Sequence, residues 1–422
     1  MLFVIFYLIY LIICLSIALG IIVIVKKYKD NKRKNKQNNP PPNPPNPPPN
    51  PPNPPPNPPP NPPPNPPNPP PNPPPNPPLK PKMVAYIEDW KKPIDYGSLK
   101  NYTHVIIAFV VPYFFTGNYC SEWCTLWDGM EKKSDMIDII KNIRTQNSNI
   151  KILLSLGGWN FSHFECQKVC KPDDPLTDNP SDYVNNPSKY NCTPSTDNKP
   201  PSYYCYGDGA DKNVINNLGK NIITILGDLN VDGLDIDIED TDSFRDSKNN
   251  VFPFIENLTK YLKQNNNKLI LTQAPMNVYV ITDKELNPSF SDVAINYTNM
   301  LISIKDQIDF ISVQFYNNSP KAMVQAEQQN VIKAYKDIVK DVFDGKSEKV
   351  VLGICNYKDS DGGCAECTTA NNCSDDNIVN NIIKPLMDSK SNPNGFGGIM
   401  QWSTSGDTNG SFSNSISSAL GY

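Results

Sequence analysis

The 422-residue sequence predicts an α/β fold, a (β/α)8 TIM barrel over residues 80–422 preceded by a transmembrane helix and a polyproline II stalk. Three observations carry that prediction. One long apolar run opens the chain, a tract of prolines and asparagines follows, and after Leu79 short β-branched runs alternate with helical stretches.

The apolar run, Leu2 to Val25, is about 24 residues, enough to span a bilayer with some tilt. A cleaved signal peptide is the rival reading, because Ala18-Leu19-Gly20 offers small residues for cleavage. No basic segment precedes the run, however, and it stays apolar past that point. Residues 26–39 form a basic juxtamembrane segment, with seven Lys or Arg between Lys26 and Lys36. Such a cluster favours the cytoplasmic leaflet. Residues 40–78 alternate blocks of two or three prolines with single asparagines, which excludes helix and sheet and favours polyproline II. At about 3.1 Å per residue this stalk reaches on the order of 120 Å.

The remaining residues, about 340, are enough for one large domain. Net charge is −4 and the pI about 5.4, with the basic cluster confined to the N-terminus, so nucleic-acid binding has no support. Eleven cysteines are present. Cys14 lies in the apolar run, while Cys120, Cys124, Cys166, Cys170, Cys192, Cys205, Cys364, Cys367 and Cys373 fall in polar, turn-rich stretches where disulfides staple loops. A zinc site using Cys364-x-x-Cys367 is the alternative, weakened by a histidine count of two, His104 and His163. The cysteines and the sequons at Asn101, Asn191, Asn257 and Asn372 point to a lumenal or extracellular barrel, against the orientation that the basic segment suggests.

Eight runs have strand character: Met83–Ile87, Val105–Val111, Ile150–Ser155, Gly233–Ile238, Leu269–Ala274, Phe310–Phe315, Val350–Cys355 and Gly398–Trp402. Helical stretches between them include Lys133–Arg144, Asn213–Leu229, Phe252–Gln264, Val331–Phe343 and Asp376–Met387. The same period suits a doubly wound open sheet, and the order of motifs decides for the barrel, whose working face is the C-terminal end of its strands.

Chemistry concentrates in Asp235-Ile236-Asp237-Ile238-Glu239. A period of two on a strand puts three carboxylates on one face and both isoleucines on the other. Inside a barrel the acids stack along the lumen with Glu239 nearest the open rim. Crowded, desolvated carboxylates cannot all ionise, and a raised pKa is what a general acid near neutral pH requires. Ser155, Gly157 and Gly158 read structurally: the glycines allow close backbone approach, and the serine is placed to hydrogen-bond Asp235. An exposed edge strand with an acidic face is the bland alternative.

That acid run, together with Ser155-Leu156-Gly157-Gly158, resembles the two diagnostic motifs of glycoside hydrolase family 18, the chitinases and related endo-β-N-acetylglucosaminidases. The resemblance covers residues 83–403, and Tyr86, Phe109, Gln314-Phe315-Tyr316-Asn317 and Met400-Gln401-Trp402 fall in family order. The Gln-Phe-Tyr-Asn form is similar to the plant and fungal single-domain branch. Between Cys355 and Gly398 the 42 residues are too few for a further α+β insertion.

The resemblance implies a retaining, substrate-assisted hydrolysis needing no metal or cofactor. Glu239 is then the proton donor, Asp237 orients the acetamido group, Asp235 shares a proton with Asp237, and Tyr316 donates to the acetamido oxygen. Trp402 forms the floor under the sugar, and Tyr86, Phe109, Gln314, Met276 and Asn317 complete the substrate-binding set. The implied partner is chitin or another N-acetylglucosamine-containing oligosaccharide, with the lipid bilayer holding the N-terminal anchor and the chain monomeric. N-glycan trimming by an endo-β-N-acetylglucosaminidase, or a chitin-binding lectin without catalysis, are the alternatives. The long stretch Trp159–Tyr206 is expected to wall the cleft, with Tyr203 and Tyr204 available to stack on sugars. Sequons at Asn160 and Asn317 lie at the predicted cleft and read as chance matches.

Overall fold

The computed structural model describes residues 80–88, 93–110, 133–159, 212–239, 241–245, 251–318, 320–322, 327–356, 364 and 374–422, and the short antiparallel pair Lys168–Val169 with Thr193–Pro194. The apolar run, basic segment and Pro/Asn tract lie outside these residues. So do Tyr203, Tyr204, Asn160, Asn191, Asn372 and every cysteine except Cys355 and Cys364. Among the described residues no helix is long and apolar enough to cross a membrane.

Eight parallel strands close into a barrel: β1 Lys82–Ile87, β2 His104–Val110, β3 Lys151–Gly157, β4 Gly233–Asp237, β5 Ile270–Gln273, β6 Phe310–Gln314, β7 Val350–Cys355 and β8 Gly398–Trp402. Each pairs with its sequence neighbours, and β8 closes onto β1 through Lys82↔Gly398 to Ala85↔Gln401. The strands are buried almost end to end because helices cover the outer face and side chains fill the lumen.

The helices are α1 Lys133–Gln146, α2 Lys212–Leu229, α3 Thr241–Arg245, α4 Val251–Asn265, α5 Ser291–Ile304, α6 Gln328–Phe343, α7 at 375–387 and α8 Ser411–Leu420. In α4 the buried set Val251, Phe254, Ile255, Leu258 and Leu262 follows helical spacing, so one apolar stripe faces the barrel. The α7 segment is interrupted by a π turn over Val379–Ile383. Pro385 accounts for it: the ring cannot donate to the carbonyl four residues back and would collide with it in a regular helix.

Tight packing has a measurable consequence at Gly233, the first residue of β4. A Cβ there would lie 1.9 Å from the backbone oxygen of Ile270, its partner on β5. The strands cannot separate without opening the barrel, so Gly233→Ala should cost about 3 kcal/mol or more. Thermal or urea unfolding of this variant and the parent measures it. Equal midpoints would show that the ladder yields at this point.

Cys364 forms a disulfide with Cys355, the last residue of β7. The zinc alternative at Cys364-x-x-Cys367 is thereby corrected, since an oxidised sulfur has no thiolate to offer a metal.

Candidate active site

Along β4 the acids and the large aliphatic residues separate as a period of two requires. Asp235 and Asp237 are almost fully buried and Glu239 is 8% exposed, while Leu234, Ile236 and Ile238 join the hydrophobic core. The orientation of the acids is settled by Tyr86. Its hydroxyl donates to Asp235 Oδ2 at 2.7 Å, although β1 and β4 are separated by two strands, so the contact crosses the lumen.

Asp235 sits deepest and receives three hydroxyls. Besides Tyr86, Ser155 Oγ donates to Oδ2 at 2.7 Å and Thr272 Oγ1 to Oδ1 at 2.6 Å. Both neighbours follow from register, because Ser155, Asp235 and Thr272 stand level on β3, β4 and β5. The sequence pointed to Ser155 but not to Thr272, which belongs to no acid or glycine motif and is identified only by its pairing. Burial raises the Asp235 pKa, and the hydroxyls of Thr272, Tyr86 and Ser155 pull against it by stabilising the ionised form.

One layer up, Asp237 Oδ1 accepts from Gln314 Nε2 at 3.1 Å, and the same amide reaches Ala274 O at 2.9 Å. The Asp237 carboxyl is held well above the usual range by burial first, then by the negative charges of Glu239 and Asp235. The two carboxyls differ in what opposes burial: three hydroxyls pull the Asp235 pKa back down, whereas at Asp237 like charge adds to burial and the Gln314 amide opposes them.

Glu239 lies just past the last strand residue, at the rim. Burial pushes its pKa up to about 7, opposed by hydrogen bonds from Gln314 and the Trp159 backbone. Gly157 and Gly158 bring that backbone close. Both have positive φ, 114° and 84°, and a Cβ on Gly158 would lie 2.5 Å from the Phe109 ring. A carboxyl of this kind is still protonated near neutrality yet can part with its proton there.

Aromatic rings complete the mouth. Trp402 stacks on Phe109 with centroids 5.6 Å apart and meets Tyr86 at 5.4 Å. Tyr316, 4% exposed, directly follows β6 and lies close enough to Tyr86 to raise that phenol's pKa further. Met276 is 5% exposed and pairs with Gln314 through an isolated parallel bridge. Asn317 is exposed with φ of 54°, a backbone region that asparagine tolerates better than most residues. The structure thus gathers Tyr86, Phe109, Asp235, Asp237, Glu239, Gln314, Tyr316 and Trp402 into one lumen, whereas Met276 is buried beside Gln314 through the backbone bridge and Asn317 opens to the surface.

A second polar cluster lies behind Trp402. The Tyr102 hydroxyl is shared between Gln401 Oε1 and Asp407 Oδ2, and Gln401 Nε2 donates to Asn356 Oδ1 at 2.9 Å. Gln401 immediately precedes Trp402, so these bonds hold the end of β8 in place. Residues far apart in sequence make this cluster, and no local motif announces it.

Comparison with known proteins agrees with this geometry. Residues 203–393, which include all three acids and Tyr316, match the sequence model described as glycosyl hydrolases family 18. No curated protein sequence matches the chain. Among solved structures, a GH18 chitinase from Pseudoalteromonas aurantia superposes with TM-score 0.54 at 20% identity, covering 80% of this chain and 99% of that one. A family GH18 chitinase from Chromobacterium violaceum gives 0.53 at 16% identity over 81% and 84%. The Legionella pneumophila ChiA C-terminal domain gives 0.51 at 14% identity over 80% and 98%. At these identities the structural likeness speaks for the fold.

Proposed function

We propose that this chain, which belongs to glycosyl hydrolase family 18, is a chitinase-like endo-hydrolase of β-1,4-linked N-acetylglucosamine polymers, acting with retention through an oxazolinium intermediate. The observation that carries the reading is the stack of three buried carboxyls on β4: Asp235 held by three hydroxyls, Asp237 raised well above the usual range by burial and like charge, and at the rim Glu239 with a pKa of about 7. Two of the solved structures that share the fold are named as chitinases, which supports the substrate class.

In this mechanism Glu239 gives its proton to the glycosidic oxygen as the bond from that oxygen to C1 breaks. The acetamido oxygen of the same sugar forms the new bond to C1. Asp237, held by Gln314, accepts a hydrogen bond from the acetamido N–H and, as its shared proton passes to Asp235, stabilises the growing positive charge, while Tyr316 donates its hydroxyl to the acetamido oxygen. Trp402, braced by Phe109 and Tyr86, supports the apolar face of the sugar. Glu239, now a carboxylate, then takes a proton from the water that opens the ring. The Cys355–Cys364 disulfide supports folding in an oxidising compartment, and with it a lumenal or extracellular place for the barrel.

The test is direct. The full chain and its Glu239→Gln variant are given chitin oligosaccharides and, separately, a high-mannose glycopeptide. Glu239-dependent cleavage of the oligosaccharides alone agrees with the proposal. Cleavage of the glycopeptide alone assigns the site to N-glycans instead, and no Glu239-dependent cleavage of either removes the enzymatic reading.

The pH dependence follows from the sign of the Glu239 shift. The protonated form is the active acid, and its pKa is raised to about 7, so kcat/KM should hold below that pH and fall as pH rises through it. Initial rates on a soluble oligosaccharide between about pH 4 and 9 locate the alkaline limb. A limb near the ordinary carboxylate range, or a rate still climbing at alkaline pH, would contradict the role.

A further inference from the structure

We propose that Thr241, Phe244 and Tyr279 form a positioning clamp that sets the height and the dryness of Glu239 above the β4 ladder. The inference rests on the catalytic role proposed for Glu239 and concerns how the fold holds that residue.

The need for a clamp comes from where the strand stops. The last residue of β4 is Asp237, and Glu239 stands two residues beyond it, where strand pairing no longer dictates the backbone. Two residues beyond Glu239 begins α3, Thr241–Arg245, a helix of five residues. A helix this short has little stability of its own. Its position must come from tertiary contacts, and those contacts fix the Glu239 backbone from the far side.

The contacts are specific. Thr241 Oγ1 and the Tyr279 hydroxyl are hydrogen-bonded at 2.8 Å. Phe244, 2% exposed, enters an aromatic box, with ring centroids 4.7 Å from Tyr279, 5.2 Å from Tyr297 and 5.2 Å from Phe252. Tyr279 and Tyr297 stack at 5.7 Å, and the Tyr297 hydroxyl donates to Gln273 Oε1 on β5 at 2.9 Å. Arg245 caps the far end, donating to Ser289 O at 3.0 Å with its guanidinium 4.5 Å from the Phe290 ring centroid. Aromatic contacts of this geometry add to plain burial and resist rotation.

The box is itself tied to the next two loops of the rim. Tyr279 belongs to the turn Asn277–Tyr279 after β5, and Asn277 Nδ2 donates to Ala322 O, beyond β6, at 2.8 Å. Met276, just before that turn, bridges Gln314, which holds Asp237. One connected set of contacts therefore joins the loop of the acid, the loop after β5 and the strand end that carries Gln314 and Tyr316. Loosening it lets the Glu239 backbone rise from the ladder and water reach the carboxyl.

Burial is the leading cause of the raised Glu239 pKa, so hydration lowers it. Of the titratable groups, Asp237 interacts with Glu239 directly, and Asp235, Tyr86 and Tyr297 interact with Asp237 in turn, with Tyr316 beside Tyr86. Gln314 and the Trp159 backbone present neutral donors. None of these side chains is replaced in the clamp variants, so a displaced titration reports the surroundings of Glu239.

The experiment uses the full chain with Thr241→Val, Phe244→Ala and Phe244→Leu. Each is read by the alkaline limb of kcat/KM and by 13C-carboxyl titration of Glu239, assigned through Glu239→Gln. Phe244→Ala should move the limb and the titration acidward by about one pH unit. Thr241→Val should move them the same way by less, and Phe244→Leu should lie nearer the parent. Parent-like titrations in Thr241→Val and Phe244→Ala would overturn the clamp, whatever happens to the rate. If Phe244→Ala does not fold, Thr241→Val decides by the same criterion. If the parent cleaves nothing, the proposed function fails, while the carboxyl titration still judges the clamp.

Discussion

Glu239→Gln should lower kcat on chitin oligosaccharides by about 10²–10⁴-fold, the range over which a positioned general acid contributes. The substitution is close to isosteric, and its carbonyl oxygen can still accept from the Trp159 backbone, so the rim should keep its shape. What disappears is the proton. An amide cannot transfer one to the glycosidic oxygen, and the leaving group must depart as an alkoxide or wait for water. Stability should not suffer, because burial and the crowding of Glu239 against Asp237 raise the cost of a charge at this position in the parent. Initial rates with the melting temperature of both proteins test the two halves together. A kcat within tenfold of the parent, in a variant that melts normally, would remove Glu239 from the mechanism.

An oligosaccharide whose N-acetyl groups have been replaced by free amines should be cut at least about a thousandfold more slowly, as the loss of a well-oriented intramolecular nucleophile requires. The three acids share one strand and therefore one wall of the lumen. Asp235 is deepest and already occupied by three hydroxyls, and Asp237 is engaged by Gln314 with its pKa held well above the usual range, so neither is suited to attack C1. The nucleophile must come with the substrate. An ammonium in place of the acetamido group cannot attack and has no carbonyl for Tyr316. Matched acetylated and deacetylated oligomers, compared by product analysis, give the ratio. Equal rates would leave a hydrolase but remove the substrate-assisted step.

Legibility differed from element to element. The eight strand runs were readable because β-branched residues cluster where both faces are buried, and the observed strands differ from them by at most two residues at either end. The α5 helix, Ser291–Ile304, was not anticipated: its Val, Ile, Asn, Tyr and Thr content is poor in helix formers. It forms because Val293, Ala294, Tyr297, Leu301 and Ile304 bury one face, a tertiary gain that outweighs local preference. The α3 helix was equally silent, being five residues held by the aromatic box.

The sequence by itself determined the barrel, the order of its strands and the alternation that stacks Asp235, Asp237 and Glu239, because periods and motif order are local properties of the chain. Only the tertiary structure decided which donors meet each acid. Tyr86, Ser155 and Thr272 reach Asp235 from β1, β3 and β5, and that convergence exists only once the barrel closes in one register. The same closure grades the three carboxyls. Identical spacing along β4 yields three carboxyls whose pKa values are all raised but against different opposing donors, with Glu239 poised near neutrality, since burial and partners rather than sequence position decide where each proton rests.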